Sequence, residues 1–244
     1  MNAVILAGGK GTRLWPYTTV FPKPMLPVGD RPILDIIINQ LRYYGFKNII
    51  LSVGYMAELI QAYYQNFNAL SSDVTLTYVK ENQPLGTAGS LALIPKQQTS
   101  FLVINGDTLT TLDYRQLMQY HEQQGGIVTI ASHKRQVKID FGVLNVNNQG
   151  ALTNYDEKPT LDYLVSMGVY VVSPEVLQYI PMNRYIDFPD LVKTFLSEGK
   201  KVQTYSTDDY WLDIGRHDDY ENASKCFDSM KEKFLKQPQQ NLGL

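Results

Sequence analysis

The sequence predicts an α/β fold, in which a mostly parallel mixed sheet is flanked by helices and is followed by a small α+β extension. The chain begins with a short apolar run, NAVILA, which stops at two glycines as a buried strand does. Strand-like and helix-like segments then alternate over about the first half of the chain, which is the pattern of βαβ units. The length of 244 residues lies within the range of a single α/β domain.

The elements of the first half follow in a regular order. A helix is predicted over PILDIIINQLRYYG, with Pro32 at its start and Gly45 as its stop. Strands are predicted over KNIILSVG and DVTLTYVKE, and the helix between them over MAELIQAYYQNF. The remaining predicted elements are the short helix GTAGSLALI, the strand SFLVINGD, the helix DYRQLMQYHEQQGG and the strand GIVTIAS.

The pattern changes after about residue 135. A hairpin is predicted over DFGVLNVNNQGALTNYDEKP, with its turn at residues 147–150. Further strands are predicted over SMGVYVVS, KVQTYS and YWLDI, and helices over PEVLQYI, FPDLVKTFLSEG and GRHDDYENASKCFDSMKEKFL. We therefore expect one domain over residues 1–235, with halves at 1–135 and 136–235, and a polar tail over 236–244.

Composition excludes several classes of function. The net charge of −2 gives no basic surface for nucleic acid and no polybasic patch for anionic lipid. Cys226 is the only cysteine, so an internal disulfide is excluded and a reducing compartment is favoured. The first apolar run is too short for a signal peptide, and no stretch approaches the ~20 apolar residues of a membrane span. We expect a cytoplasmic protein that makes no membrane contact.

The glycine-rich loop after the first strand does not match two standard nucleotide-binding patterns. A Walker-type phosphate loop needs a hydroxyl residue after its lysine, but Gly11 follows Lys10. The dinucleotide fingerprint needs a third glycine, but Leu14 stands in that position, and no acid closes the second strand. The glycines alone are therefore compatible with either an anion-binding loop or a tight turn with solvated cations.

The longer run LAGGKGTRLWPYT…FPKPMLPV resembles the signature of the sugar-1-phosphate nucleotidyltransferases, the pyrophosphorylases that make nucleotide sugars. The resemblance implies a Rossmann-like fold and a nucleoside triphosphate wrapped by the loop. It implies that the arginine of the loop and the lysine of PKP bind phosphate. The residues that it assigns to the nucleotide here are Leu6, Ala7, Gly8, Gly9, Gly11, Thr12 and Arg13, with Lys23 on the phosphates.

Two aspartates stand at the ends of predicted strands. Asp107 follows Gly106 in FLVINGDT, and Asp213 lies in YWLDIGR. Either one alone is compatible with a helix cap or a turn. Together they resemble the family's NGD and W-x-D-I-G motifs, whose carboxylates hold Mg²⁺, an ion that prefers oxygen ligands. The three histidines are far apart in sequence and show no zinc-binding spacing.

The segment VKENQPLGTAGSL resembles the part of the family that recognises the nucleobase. The resemblance places Glu81, Pro84, Gly86 and Thr87 at the nucleotide. A carboxylate only accepts hydrogen bonds, and guanine offers two adjacent donors, so Glu81 favours GTP over UTP or dTTP. The form E-x-x-P-L-G-T-A-G is similar to that of the GDP-mannose pyrophosphorylases. A solvated glutamate at a strand end remains the alternative interpretation of Glu81.

Three further motifs resemble the sugar-binding parts of the family. NYDEKP matches its E-K-P, which assigns Glu157 to the sugar hydroxyls and Lys158 to the sugar phosphate. FGVL matches its Y-G-V, which assigns Gly142 to the sugar, with Phe141 in place of tyrosine. VSMGVY assigns Ser166 and Gly168, although many members carry asparagine where Ser166 stands. A surface ion pair is the alternative for Glu157 and Lys158.

The leading hypothesis is an Mg²⁺-dependent guanylyltransferase that acts on mannose-1-phosphate or a manno-heptose relative. The first alternative is a uridylyl- or thymidylyltransferase acting on glucose-1-phosphate. The second is a non-catalytic homologue that binds nucleotide sugar, which is disfavoured because Arg13, Lys23, Asp107, Lys158 and Asp213 are all present. The sequence shows no hexapeptide β-helix array, so we expect any homo-oligomer to form through the catalytic domain or its last helix.

Overall fold

The computed structural model of the chain describes residues 1–66 and 73–236. The predicted tail lies outside the described residues except for Lys236. The strands are β1 (Asn2–Ala7), β2 (Pro27–Val28), β3 (Arg31–Pro32), β4 (Asn48–Val53), β5 (Thr75–Lys80), β6 (Phe101–Asn105), β7 (Thr108–Thr110), β8 (Val128–Lys138), β9 (Val143–Val146), β10 (Leu152–Asp156), β11 (Thr160–Val172), β12 (Val202–Thr207) and β13 (Trp211–Asp213). The helices are α1 (Ile33–Tyr43), α2 (Ala57–Asn66), α3 (Gly86–Gly89), α4 (Tyr114–Gln124), α5 (Phe188–Ser197) and α6 (His217–Phe234).

A seven-stranded sheet, in the order β12-β8-β11-β6-β1-β4-β5, forms the centre of the fold. Strands β6, β1, β4 and β5 are parallel to one another, and β12 is parallel to β8. Only β11 runs antiparallel, since it pairs in that sense with both β6 and β8. The predicted mostly parallel mixed sheet is therefore confirmed.

Helices cover both faces of this sheet, as predicted. One hydrophobic core joins the sheet to α1, α2, α4 and α6, and the other joins it to α3 and α5. Strand β1 lies in the middle of the sheet, so Ala3, Val4 and Ile5 are wholly buried and the strand is a continuous apolar run. Among residues 1–66 and 73–236 no helix is both long enough and apolar enough to cross a membrane.

Local signals account for the helix ends. The carboxylate of Asp113 caps α4, because it accepts hydrogen bonds from the backbone N–H groups of Arg115 and Gln116 at 2.9 and 3.0 Å. Pro32 stands immediately before α1, and Gly45 follows its end with a φ of 87°. Pro32 and Gly45 are the two signals from which the bounds of α1 were predicted.

The second half differs from the sequence prediction in two places. The segment after Ser173 forms a 3₁₀ helix over Pro174–Tyr179, where a helix was expected. Strands β8 and β11 are longer than predicted and pair with each other from Thr160–Lys138 to Val172–Val128. Their outer parts carry the β9–β10 hairpin away from the sheet, and we call residues 134–164 the arm. The outer strand residues are exposed and mixed in polarity, so they gave no apolar run to detect.

Candidate active site

Two cavities lie side by side at the carboxyl ends of the parallel strands. The smaller has a volume of about 410 Å³, and the larger a volume of about 670 Å³. Arg13, Asn105 and Asp213 line both cavities, so these three side chains mark their junction. Ligands of open α/β sheets bind at this edge, which makes the junction the natural place for a reaction between two substrates.

The glycine loop forms one wall of the smaller cavity. Leu6, Ala7, Gly8 and Gly9 line it directly. A Cβ atom at Gly8 would lie 2.3 Å from Oε1 of Glu81, so only glycine allows the loop and this carboxylate to meet. No atom lies within 4 Å of a Cβ built on Gly9, which leaves that position open to a ligand.

The end of the glycine loop does not line the smaller cavity. Gly11 adopts a φ of 62° and begins a 3₁₀ turn over Thr12–Leu14. A Cβ on Gly11 would lie 2.9 Å from Cγ2 of Thr18 and 3.0 Å from Cβ of Lys23. Thr12 is exposed, and neither Gly11 nor Thr12 lines the smaller cavity. The structure therefore packs Gly11 against Thr18 and Lys23, and the nucleotide role of Gly11 and Thr12 stays a prediction.

The two aspartates are brought together by backbone pairing. Strand β13 pairs with β7 so that Asp213 lies opposite Thr108, the residue that follows Asp107. The N–H of Ile214 also donates a hydrogen bond of 3.1 Å to the carbonyl of Asp107. Both carboxylates consequently line the smaller cavity, together with Lys23.

Charge is concentrated around these carboxylates. Lys23 forms an ion pair with Oδ2 of Asp107, whereas Oδ1 of Asp107 is buried without a hydrogen-bond partner among the described residues. Desolvation raises the pKa of the Asp213 carboxyl, and the negative charge of Asp107 raises it further, against the opposing charges of Lys23 and Arg13. Two neighbouring carboxylates in this state favour a cation between them.

The segment 81–87 forms the opposite wall of the smaller cavity. The Glu81 carboxylate accepts a hydrogen bond from the Ser52 hydroxyl and one from the Leu85 N–H, each at 3.2 Å. Burial raises the pKa of the Glu81 carboxyl, and these two hydrogen bonds partly oppose that rise. Pro84, Gly86 and Thr87 line the same cavity. Glu81 lines it as well, and its two hydrogen bonds hold the carboxylate in one orientation.

A distant segment supports this wall. A Cβ on Gly86 would lie 2.6 Å from the carbonyl oxygen of Ile186, and Gly86 adopts a φ of 75°. Oδ1 of Asp187 accepts a hydrogen bond from the Thr87 N–H at 3.1 Å, and its Oδ2 accepts one from the Tyr185 hydroxyl at 2.9 Å. Tyr185 and Asp187 both line the smaller cavity. Sequence reasoning missed them, because RYIDFPD carries no signal beyond the start of a helix.

The larger cavity contains Ser166 and Gly168 from the predicted sugar-binding set. The Ser166 hydroxyl donates to the Tyr170 hydroxyl at 3.3 Å, and a Cβ on Gly168 would lie 2.5 Å from Nδ2 of Asn105. Sequence reasoning missed most of the lining, which carries the cations Lys134 and Arg135 on the side of the arm and the pair Arg216 and Asp219 at the start of α6. These further lining residues include His133, Lys134, Arg135, Gln136, Trp211 and Arg216.

Three predicted sugar-site residues lie on the arm and line neither cavity. A Cβ on Gly142 would lie 2.3 Å from the hydroxyl oxygen of Tyr155, and this hydroxyl donates to Oε2 of Glu157 at 3.1 Å. The side chains of Glu157 and Lys158 are about 60% exposed, at 61% and 58%. Lys158 adopts a φ of 48°, a rare backbone conformation for a non-glycine residue that is found more often at functional sites.

The family of the chain follows from its similarity to known proteins. A family model described as Nucleotidyl transferase matches residues 2–229. The chain belongs to the nucleotidyl transferase family. Among curated relatives, it is 31% identical over 241 residues to a UTP–glucose-1-phosphate uridylyltransferase of Synechocystis sp., covering 91% of this chain and 62% of that protein. It is 32% identical over 236 residues to a mannose-1-phosphate guanyltransferase of Schizosaccharomyces pombe, covering 90% and 62%.

Solved structures of nucleotidyl transferase relatives share the fold. HddC from Yersinia pseudotuberculosis, solved in complex with GMP-PN, has a TM-score of 0.72 and 28% identity, covering 93% of this chain and 99% of that chain. A putative glucose-1-phosphate thymidylyltransferase from Bacillus anthracis has a TM-score of 0.70 and 25% identity, covering 92% and 94%. These names confirm the predicted sugar-1-phosphate nucleotidyltransferase family. The chain spans about 62% of the length of the curated relatives quoted above.

Proposed function

We propose that this nucleotidyl transferase is an Mg²⁺-dependent sugar-1-phosphate guanylyltransferase. It would transfer GMP from GTP to mannose-1-phosphate or a manno-heptose-1-phosphate type of sugar, and release pyrophosphate. The observation that carries the proposal is the junction of two cavities at Arg13, Asn105 and Asp213, with Lys23 and Asp107 beside it. The smaller cavity would hold the nucleotide and the larger one the sugar.

The chemistry requires charge neutralisation more than proton transfer. A sugar-1-phosphate is already a dianionic nucleophile near neutral pH, so no protein base has to deprotonate it. The barrier arises where its oxygen approaches the α-phosphate of the nucleotide, since both groups are negative. Arg13 and Lys23 would lower that barrier by offsetting the charge and by holding the two substrates in line. The bond to pyrophosphate then breaks on the opposite side of the α-phosphorus.

The residues present fit a bound Mg²⁺ ion. Oδ1 of Asp107 is a buried carboxylate oxygen without a hydrogen-bond donor in the described part of the chain, and Asp213 lies opposite Thr108, the next residue, close enough for its carboxyl to interact with Asp107. Mg²⁺ is typically held by one or two carboxylates and takes its other ligands from water and phosphate. When bound, the ion would supply positive charge to the reacting phosphates. Asp107 and Asp213 would hold it.

Glu81 supports guanine as the base. Glu81 lines the smaller cavity, and the Ser52 hydroxyl and the Leu85 N–H hold its carboxylate in a fixed place, where it would accept further hydrogen bonds. Guanine presents two adjacent N–H donors to such an acceptor, whereas uracil and thymine present one N–H between two carbonyl groups. The relatives named as mannose-1-phosphate guanyltransferases, and the HddC complex with GMP-PN, add to this support.

A glucose-1-phosphate uridylyl- or thymidylyltransferase is the second candidate. The relative from Synechocystis sp. carries the uridylyltransferase name at 31% identity, close to the 32% of the guanyltransferase from Schizosaccharomyces pombe. Ser166, which has a shorter reach than asparagine, also leaves the identity of the sugar open to test. The two candidates share the phosphate and metal residues and differ only at the base and sugar ends of the cavities.

The deciding experiment is pyrophosphate release in the presence of Mg²⁺. GTP, UTP, dTTP, CTP and ATP are each paired with a panel of sugar-1-phosphates. We expect release with GTP and a manno-configured sugar. Release with UTP or dTTP instead would retain the enzyme class and overturn the assignment of the base. Absence of release with every pair, together with tight binding of a nucleotide sugar, would favour a non-catalytic homologue.

A further inference from the structure

One face of the β9–β10 hairpin on the arm is entirely apolar. The strand register pairs Leu144 with Tyr155 and Val146 with Leu152. Residues two apart on a strand share a face, and the register shift between Leu152 and Asn154 keeps Tyr155 on the same side as Leu152. We call these four side chains the hairpin face. Asn145 pairs with Asn154 on the opposite face.

The hairpin face is open to solvent. Leu144, Val146, Leu152 and Tyr155 are 58, 60, 58 and 55% exposed, and the neighbouring Phe141 is 78% exposed. None of the five belongs to either hydrophobic core of the described chain. A two-stranded hairpin is only marginally stable in water without a covered apolar face. The alternation of the hairpin is that of a sheet packed on one side, yet the rest of the described chain does not cover it.

The exposed area matches one half of a protein–protein interface. Phe and Tyr carry roughly 150–250 Å² of surface each and Leu and Val somewhat less, so the four face residues and Phe141 leave on the order of 500 Å² open. Two such faces packed together would bury on the order of 1,000 Å² in total, which is the size at which a contact between proteins becomes a specific interface.

The charge of the arm points to a neutral partner. Residues 134–164 carry four basic and four acidic side chains, which are Lys134, Arg135, Lys138 and Lys158 against Asp140, Asp156, Glu157 and Asp162. An acidic membrane or a nucleic acid would be met by an excess of basic residues, which the arm lacks. The hairpin face itself contains no charge.

We propose that the hairpin face binds the same face of a second copy of this chain. A two-fold arrangement makes such a contact self-complementary, because each apolar side chain meets its symmetry mate or a neighbour of the same kind. Two apolar ribbons would then pack face to face, as sheets do in a sandwich. The covered face would stabilise a hairpin that is otherwise marginal.

Pairing would also steady the neighbouring loop. The hydroxyl of Tyr155 donates to Glu157, which is followed by Lys158. An arm fixed by its partner therefore presents these two side chains from a constrained segment. The contact lies outside both cavities, so the association does not depend on the function proposed above.

The test measures the mass of the protein in solution. Light scattering after size-exclusion chromatography should give about twice the chain mass of 27.7 kDa for the wild type at micromolar concentration. The double variant Leu144→Glu/Val146→Glu places four carboxylates at the paired faces, and it should give the mass of a single chain. The matched control is Asn145→Glu/Asn154→Glu on the opposite face, which should keep the wild-type mass.

A monomeric wild type, or a double variant that retains the wild-type mass, would overturn the proposal. Circular dichroism shows whether each variant is folded. A cysteine probe gives a second readout in a Cys226→Ser background. Mild oxidation should link Val146→Cys chains into covalent dimers and leave Asn145→Cys chains unlinked. Equal linking of both variants would contradict the assigned face.

Discussion

Lys23 forms an ion pair with Asp107 across 84 positions of the sequence, and the two side chains are only 10% and 20% exposed. The contact joins the PKP loop to the end of β6. It brings the predicted phosphate lysine to the predicted metal ligand. Asp213 faces the same charges, because β13 pairs with β7. The candidate site is therefore assembled from three separate segments of the chain.

Removal of the charge of Asp107 should stop catalysis. In the variant Asp107→Asn, the proposed cation loses a carboxylate ligand, and we expect pyrophosphate release to fall by on the order of 100-fold or more. The fold should persist, since the amide has the same shape and Asp213 still accompanies Lys23. The control is Asp228→Asn on the exposed surface of α6. Turnover close to the wild-type rate would remove the metal role of Asp107.

Replacement of Glu81 should change the choice of base. The variant Glu81→Gln offers one acceptor and one donor in place of two acceptors. A hydrogen bond to a charged group contributes about 1.5–3 kcal/mol, so we expect the kcat/KM for GTP relative to UTP to fall by roughly tenfold or more. Glu198→Gln, exposed at the end of α5, is the matched control. If the ratio of kcat/KM for GTP to that for UTP does not change, Glu81 does not select the base.

The same residue should make stability depend on pH. Burial raises the folded-state pKa of Glu81 above its usual value of 4.5, so between these two pKa values the folded protein binds more protons than the unfolded chain. This contribution to the free energy of unfolding is present below pH 4.5 and is lost as the pH rises through the folded pKa. Urea unfolding should find Glu81→Gln more stable than the wild type at pH 7, with a smaller difference near pH 4. A constant difference across this range would contradict the raised pKa.

A side chain at Gly86 should destabilise the protein more than left-handed strain alone. Alanine at a left-handed position costs about 1–2 kcal/mol. At Gly86 the new Cβ would also lie 2.6 Å from a backbone carbonyl oxygen, which cannot move without disturbing the Ile186 segment. Gly199→Ala is the matched control, because Gly199 has a φ of 68° at the end of α5, where the Lys200 N–H donates to the Phe195 carbonyl, and a Cβ there would meet no residue of the described chain within 4 Å. Urea unfolding should show a larger loss in the free energy of unfolding for Gly86→Ala. Equal losses in the two variants would show that the contact with the Ile186 carbonyl oxygen adds no cost.

Lys158 should affect the sugar more than the nucleotide. The side chain lies exposed on the arm, so Lys158→Ala should leave the midpoint of thermal unfolding unchanged. We expect the KM for sugar-1-phosphate to rise roughly tenfold, because hydrogen bonds to charged groups contribute about 1.5–3 kcal/mol. The KM for the nucleotide should stay constant. Lys193→Ala, on the exposed side of α5, serves as the control. An unaffected sugar KM would point instead to the cations that line the larger cavity.

Much of the fold could be predicted because its signals are local. Strand β1 is apolar throughout since it lies between two parallel neighbours, and Gly45 follows α1 in a left-handed conformation. The outer parts of β8 and β11 could not be predicted in the same way. They are exposed on the arm, so their side chains follow no apolar pattern, and only the pairing with each other defines them as strands.

The candidate site likewise contains residues that local motifs predicted and residues that only contacts between distant segments define. Arg13, Lys23, Glu81 and Asp107 stand in motifs whose spacing was visible in the sequence, and the structure brings all four to one cavity. Tyr185 and Asp187 were missed, because their place depends on backbone contacts between Ile186 and the segment 86–89. The Thr87–Asp187 hydrogen bond joins positions 100 residues apart, and no motif in the sequence links two segments that distant.

By itself, the sequence determined the alternation of strands and helices, the glycine loop and the family, because each depends on neighbouring residues and their periodicity. Only the tertiary structure decided which charged groups meet. Asp107 and Asp213 become neighbours through the pairing of β7 with β13, and the cations of the arm reach the larger cavity through the length of β8. The tertiary structure also leaves the hairpin face uncovered by the rest of the described chain. Burial and charge proximity are properties of packing between distant segments, so local pattern does not contain them.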